Sequence, residues 1–115
     1  MFENCCKISF GSSIKSFRKA FKNCPLKTLE SISIKDASKC KSFQSSFENT
    51  EITNLKGLER WNVNKSTDFS NMFSKCKFLT DCSAIDSWEL SENDTVKNMF
   101  NECPNIIRYP IWFTF

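Results

Sequence analysis

Three cysteines recur at equivalent places in the sequence and are the first residues to test for chemistry. Cys24, Cys76 and Cys103 each stand three residues after a phenylalanine. A thiol acts as a nucleophile when a neighbouring base raises its thiolate fraction, and the chain has no histidine to be that base. The equivalent place in another segment holds Thr50, which does not fit a required thiol. We therefore interpret these cysteines as small buried side chains, and we predict that the protein is not an enzyme.

The cysteines leave two other roles open. Their number is 7, which is odd, so disulfide pairing cannot include them all, although a single bridge stays an alternative. The chain has no Cys-x-x-Cys pair and no histidine, so we predict neither a zinc site nor a cofactor. The weaker alternative is an all-thiolate zinc site made of Cys5, Cys6, Cys24 and Cys40.

The phenylalanines form a repeat that contains the recurring cysteines. Phe21, Phe47, Phe73 and Phe100 are 26, 26 and 27 residues apart. Each has an apolar residue four positions before it and a cysteine or threonine three positions after it. This spacing predicts four units within one domain, 1–115, because such short units must stack to bury their apolar faces. The units span residues 8–31, 32–60, 61–87 and 88–113.

Each unit shows two hydrophobic periods. Apolar residues at i, i+3, i+4 and i+7, as at 69, 72, 73 and 76, predict a short helix. Alternating pairs such as Trp61 and Val63 predict a short strand, and only 2 glycines argue against tight hairpins. The sequence thus predicts an α/β fold, a short solenoid of strand–loop–helix units with a parallel sheet on one face. The side chains predicted to form ladders between units are Phe21, Phe47, Phe73, Phe100, Cys24, Cys76, Cys103, Trp61 and Trp88.

Two tandem stretches resemble a known repeat. The segments "WNVNKSTDFSNMFSKCKFL" and "WELSENDTVKNMFNECPNI" are similar to the repeat of BspA-type leucine-rich-repeat surface proteins, which is also found in mycoplasma surface lipoproteins. The first two units keep only the phenylalanine frame. The resemblance implies a leucine-rich-repeat-like solenoid without catalytic activity. It also implies display at the cell surface or secretion, and adhesion to a host or matrix surface protein.

Polar residues between the predicted strands and helices are the candidate contacts with a protein partner. They are Asn62, Asn64, Lys65, Glu89, Glu92 and Asn93. The apolar C-terminal stretch "YPIWFTF" either caps the last unit or leaves an edge open, and it adds Trp112 to the candidate binding residues. The predicted function is a non-catalytic module for protein binding or adhesion. The alternative is an intracellular scaffold, or a fragment of a longer array, that self-stacks through its C-terminal edge.

Charge and hydropathy exclude further classes of function. Residues 1–50 carry 9 Lys/Arg and 4 Asp/Glu, a net charge of +5, and residues 51–115 carry 7 and 9, a net charge of −2. No repeated interleaving of aromatic and basic residues marks a surface on which bases could stack, so we predict no binding to nucleic acid. No apolar run is long enough for a membrane helix, and "MFENCCKISF" is not a secretory signal, so only the resemblance indicates a location.

Overall fold

The computed structural model contains very little regular secondary structure. It describes residues 8–10, 15–30, 32–34 and 37–114. Two strands, β1 (Ile8–Phe10) and β2 (Ile32–Ile34), pair in parallel, and two 3-10 turns span Leu58–Arg60 and Ser83–Ile85. Turns, bends and irregular segments make up the rest of the described chain, which includes no helix able to cross a membrane.

The predicted α/β solenoid with its parallel sheet is therefore wrong. Within the described ranges there is no α-helix, and the two three-residue strands do not make a four-stranded sheet. In the third unit, two four-residue turns replace the helix. Met72 donates its N–H to the carbonyl of Phe69, and Cys76 donates to that of Phe73. The third residue of each turn, Asn71 or Lys75, has a φ of 56° or 63°, which no right-handed helix contains.

The burial pattern of a helix is nevertheless present. Phe69, Met72, Phe73 and Cys76 are all fully buried, at the spacing i, i+3, i+4 and i+7. Successive four-residue turns repeat their buried positions every 4 residues, and over eight residues this is indistinguishable from a period of 3.6. The low glycine content argued against tight turns, and this argument was wrong because residues other than glycine adopt the positive φ angles. They are Lys19, Asn23, Ser45, Asn49, Asn71, Lys75, Asn98 and Glu102.

The predicted strands of the third and fourth units are replaced by local turns. Trp61 donates its N–H to the carbonyl of Leu58, and Ser66 donates to that of Val63. These groups are then not available for a ladder with a neighbouring unit. Units meet here through isolated parallel bridges. The bridges join Ser42 to Asp68, Asp68 to Thr95, Asn54 to Asp81, and Asp81 to Arg108.

Backbone hydrogen bonds hold the four turn segments one on another. In each of the first three units, four alternate N–H groups donate to carbonyls of the following unit, at 2.8–3.0 Å. Phe21 donates to Ser46 in this way, and Phe47 donates to Met72. Most of the intervening N–H groups close the turns inside their own unit, as that of Ala20 does. Each turn segment therefore uses some of its backbone N–H groups for hydrogen bonds within its own unit and the others for hydrogen bonds to the following unit.

Stacked phenylalanines fill the core beneath these turns. The rings of Phe21, Phe47, Phe73 and Phe100 form one column, with centroids 5.7, 5.8 and 5.6 Å apart and interplanar angles of 3°, 7° and 9°. In a second column, the ring of Phe43 lies 6.0 Å from that of Phe69 at 12°. Equal spacing in the sequence therefore becomes face-to-face contact in the core, which excludes water from every unit boundary.

A glycine substitution at Lys75 distinguishes the observed turn from the predicted helix, because the two structures predict opposite changes in the free energy of unfolding. At an exposed helical position, Lys75→Gly would cost about 1 kcal/mol. Because the φ of Lys75 is 63°, we expect it instead to raise the free energy of unfolding by about 0.5–1 kcal/mol. Urea denaturation measures the change. Lys77→Gly is the control at an exposed position outside the positive-φ set, and it should destabilise. Equal losses from both variants would contradict the turn.

Candidate protein-binding surfaces

A polar groove lies between the loops at which the third and fourth units begin. This loop groove, formed by residues 59–64 and 87–89, has a volume of about 340 Å³. The exposed side chains of Asn62, Asn64 and Glu89 line it, so the structure brings three of the candidate contact residues together. Lys65, Glu92 and Asn93 are also exposed, but they are not part of its lining.

Two tryptophans fix the walls of the loop groove. Trp88 is 5% exposed, and its indole N–H donates to the carbonyl of Leu58 at 3.0 Å. Trp61 is half-buried and packs edge-on against Phe17, with ring centroids 5.7 Å apart. We expected Trp61 and Trp88 to stack on each other. In the described part of the chain each packs on phenylalanines of the core instead, and Phe69 lies 5.8 Å from Trp88.

Hydrogen bonding and charge at the rim of the loop groove suit a polar ligand. The side-chain oxygen of Asn62 accepts the N–H of Asn64 at 3.0 Å, which holds the loop in a tight turn. Glu59, Arg60 and Glu89 add two carboxylates and one guanidinium to its lining. Groups of both signs around a rigid aromatic wall can hydrogen-bond a protein surface and discriminate between partners.

The C-terminal residues 108–113 form a cap that is attached to the third unit. Asp86 makes a 2.6 Å ion pair with Arg108 and accepts the N–H of Ile111 at 2.7 Å. The indole N–H of Trp112 donates to the carbonyl of Ile85 at 2.8 Å. Trp112, a candidate contact residue in the sequence, is therefore half-buried and anchored, whereas Ile111 is 74% exposed.

A second groove runs along the fourth unit, which we call the C-terminal edge. Its volume is about 390 Å³, and residues 96–101 line it together with Tyr109, Phe113 and Thr114. The ring of Phe113 meets that of Phe100 edge-on, with centroids 5.0 Å apart. Sequence reasoning identified this end of the molecule from its aromatic residues. It could not identify the backbone groups that line the groove, since every residue except proline carries an N–H.

The recurring cysteines are buried between the turn segments. The thiol of Cys76 donates to the carbonyl of Phe47 at 3.3 Å, and that of Cys103 donates to Phe73 at 3.0 Å. Thr50 uses its hydroxyl in the same way, donating to Phe47 at 3.0 Å. Cys24, Cys40 and Cys82 are buried as well, while Cys5 and Cys6 lie outside the described residues.

The surroundings of Cys40, Cys82 and Cys103 favour the protonated thiol, whereas the hydrogen bond with Cys103 lowers the pKa of Cys76. Burial raises the pKa of Cys82 to about 12, and it also raises the pKa of Cys40. The hydrogen bond to Cys76, together with burial, raises the pKa of Cys103. Such thiols are poor nucleophiles and poor metal ligands near neutral pH. No cluster of three or more cysteine, aspartate or glutamate ligands occurs among the described residues, and the zinc alternative with Cys5 and Cys6 falls partly outside them.

Alkylation of the native protein tests the state of the thiols. At neutral pH we expect iodoacetamide to modify Cys76, Cys82 and Cys103 slowly, because all three are buried and the reagent cannot reach them. The pKa values of Cys82 and Cys103 are also raised, whereas that of Cys76 is lowered, so burial alone protects Cys76. Mass spectrometry of peptides would locate the modified residues. The same protein in guanidinium chloride is the control and should react at all three. Rapid modification of Cys76 or Cys103 in the native protein would contradict the burial of these thiols between the turn segments.

Comparison with known proteins gives one match. The model of a family described as "Mycoplasma protein of unknown function, DUF285" matches residues 11–109. No curated protein and no solved structure matches the chain. The match agrees with the mycoplasma part of the resemblance noted from the sequence, and it gives no support to a BspA-type leucine-rich repeat. Because the match extends over most of the length, the chain belongs to the DUF285 family of mycoplasma proteins.

Proposed function

We propose that this chain is a non-catalytic repeat module that binds a protein through its loop groove. The observation that carries the proposal is the convergence of Asn62, Asn64 and Glu89 on a polar groove with walls of packed tryptophan. Rigid walls reduce the entropy that a surface loses on binding, and exposed polar groups supply orientation. The burial of the described cysteines and the lack of histidine support a role without catalysis.

The resemblance to mycoplasma surface lipoproteins supports a partner outside the cell. We therefore place the partner among the proteins of a host surface or matrix. A second candidate function is assembly with another repeat segment through the C-terminal edge. Backbone N–H groups of that edge, for which the described residues supply no acceptor, favour this second function.

Charge reversal in the loop groove tests the first function. The labelled protein is applied to cultured host cells and to immobilised fibronectin and collagen. We expect it to bind at least one of them, and we expect Glu89→Arg to weaken that binding by about tenfold. Glu30→Arg is the matched control, since it makes the same charge change at another exposed glutamate. The proposal fails if the protein binds none of these surfaces, or if the two variants weaken binding equally.

A further inference from the structure

A row of backbone donors at the C-terminal edge has no acceptor among the described residues. In the third unit, Phe69, Asn71, Phe73 and Lys75 donate their N–H groups to carbonyls of the fourth unit. The equivalent donors of the fourth unit belong to the residues 27 positions later. They are the N–H groups of Val96, Asn98, Phe100 and Glu102, and no hydrogen bond joins any of them to the described chain.

This donor row borders the groove of the C-terminal edge. Val96, Asn98 and Phe100 are part of the groove lining, opposite Tyr109 and Phe113. The ring of Phe113 covers that of Phe100 edge-on, so the phenylalanine column is closed at this end. The backbone N–H groups of the donor row, in contrast, have no hydrogen-bond acceptor among the described residues. A ligand would therefore meet hydrogen-bond donors and the apolar wall beside them, without adding a further ring to the column.

The conformation of the row selects the kind of ligand. Asn98 and Glu102 have φ angles of 58° and 59°, and Met99 donates its N–H to Val96 within the same turn. The segment is therefore folded into turns and is not extended like a strand, along which alternate residues lie about 6.8 Å apart. Inside the molecule, the same kind of row is filled three times by a segment with the same succession of turns.

A second copy of this chain does not supply a matching surface. Two copies related by a twofold axis would place donors opposite donors. In a head-to-tail arrangement, the carbonyls of the first unit would have to accept. By position these are the carbonyls of Ser16, Arg18, Ala20 and Lys22. Ala20 has no exposed surface, so one of the two central acceptors of that row is covered. We propose that the C-terminal edge binds a turn segment of the same repeat kind that belongs to a different polypeptide, whose alternate carbonyls accept from the row.

A peptide taken from the repeat itself is the probe. Residues 91–105, synthesised with Cys103→Ser, include the segment that fills the row of the third unit. We expect the peptide to slow hydrogen exchange at the amides of Asn98 and Glu102 by about tenfold in the full-length chain. The amides of Asn71 and Lys75 are the internal reference, because they are already hydrogen-bonded and should not change. A scrambled peptide of the same composition should have no effect.

Filling the groove provides a second measurement. Thr114 is exposed and lines the groove, so Thr114→Trp should weaken binding of the peptide by about tenfold without disturbing the core. Thr28→Trp places the same bulk at an exposed threonine of the first unit and should leave binding unchanged. Glu89→Arg should also leave it unchanged, which separates this site from the loop groove.

Three outcomes would overturn the proposal. The first is no slowing of exchange by the repeat peptide, and the second is equal slowing by the scrambled peptide. The third is slowing at Asn98 and Glu102 that grows with protein concentration in the absence of peptide, since a second copy of the chain would then occupy the edge.

Discussion

Replacing Phe47 with alanine is expected to lower the free energy of unfolding by about 3–5 kcal/mol. Phe47 is fully buried, and its ring stacks on Phe21 at 5.7 Å and on Phe73 at 5.8 Å. Removing the ring therefore leaves a cavity with phenylalanine on both sides. Because each ring contacts the units before and after it, the loss acts on two unit boundaries at once. Guanidinium denaturation followed by circular dichroism measures the effect.

Two further variants show whether the loss arises from stacking. Phe78 is 56% exposed, so Phe78→Ala is the control that removes the same side chain from the surface. It should lower the free energy of unfolding by at most about 1 kcal/mol. Phe47→Leu keeps apolar volume but loses the ring and should give an intermediate value. If Phe47→Ala costs no more than Phe78→Ala, the phenylalanine column does not hold the units together.

Replacing Trp88 with alanine should have an effect of similar size, about 3–5 kcal/mol. Its indole is almost fully buried against Phe69, and its N–H donates to the carbonyl of Leu58 at 3.0 Å. Trp88→Phe separates the two contributions, because it keeps most of the aromatic surface and removes the indole N–H, while the carbonyl of Leu58 keeps the backbone N–H of Trp61 as its other donor. We expect this milder variant to cost about 1–3 kcal/mol. Thermal and guanidinium unfolding provide the measurements.

The matched control for Trp88→Phe is Trp61→Phe. Trp61 occupies the equivalent position one unit earlier, but it is less deeply buried than Trp88, and its indole N–H has no acceptor within the described ranges. We therefore expect Trp61→Phe to cost clearly less than Trp88→Phe. A larger loss at Trp61 would contradict the role assigned to the hydrogen bond with Leu58.

The sequence was sufficient to predict the positions that face the core. Phe47 and Phe73 could be placed in register because burial of apolar groups requires the same spacing in every unit. The conformation between them could not be predicted in this way. Asn71 and Lys75 adopt positive φ angles without being glycine, and each hydrogen bond between turn segments joins residues at least 25 positions apart. Neither the positive φ angles nor these long-range hydrogen bonds produce a periodic pattern of apolar residues in the sequence.

The candidate site was predictable to a similar extent. Asn62 and Glu89 follow equivalent tryptophans, so their proximity follows from stacking of the units. The hydrogen bond of Trp112 is an example of what the sequence could not predict. The acceptor of its indole N–H is a backbone carbonyl, that of Ile85, and the side-chain pattern carries no information about it. A spacing of 24 residues from Trp88 was the one available signal that Trp112 continues the same structural position.

The direction of the hydrogen bonds between the turn segments has an electrostatic consequence. All twelve of these N–H groups point from one unit to the next one along the chain, so their peptide dipoles add. The turn face therefore has a macrodipole whose positive end is the C-terminal edge, by the same reasoning that makes the N-terminus of a helix positive. Residues 15–30 of the first unit carry 5 Lys/Arg and 1 Glu, and residues 88–113 of the fourth unit carry 2 Lys/Arg and 4 Asp/Glu. A net positive charge thus lies at the negative end of the dipole and a net negative charge at its positive end, which stabilises the stack.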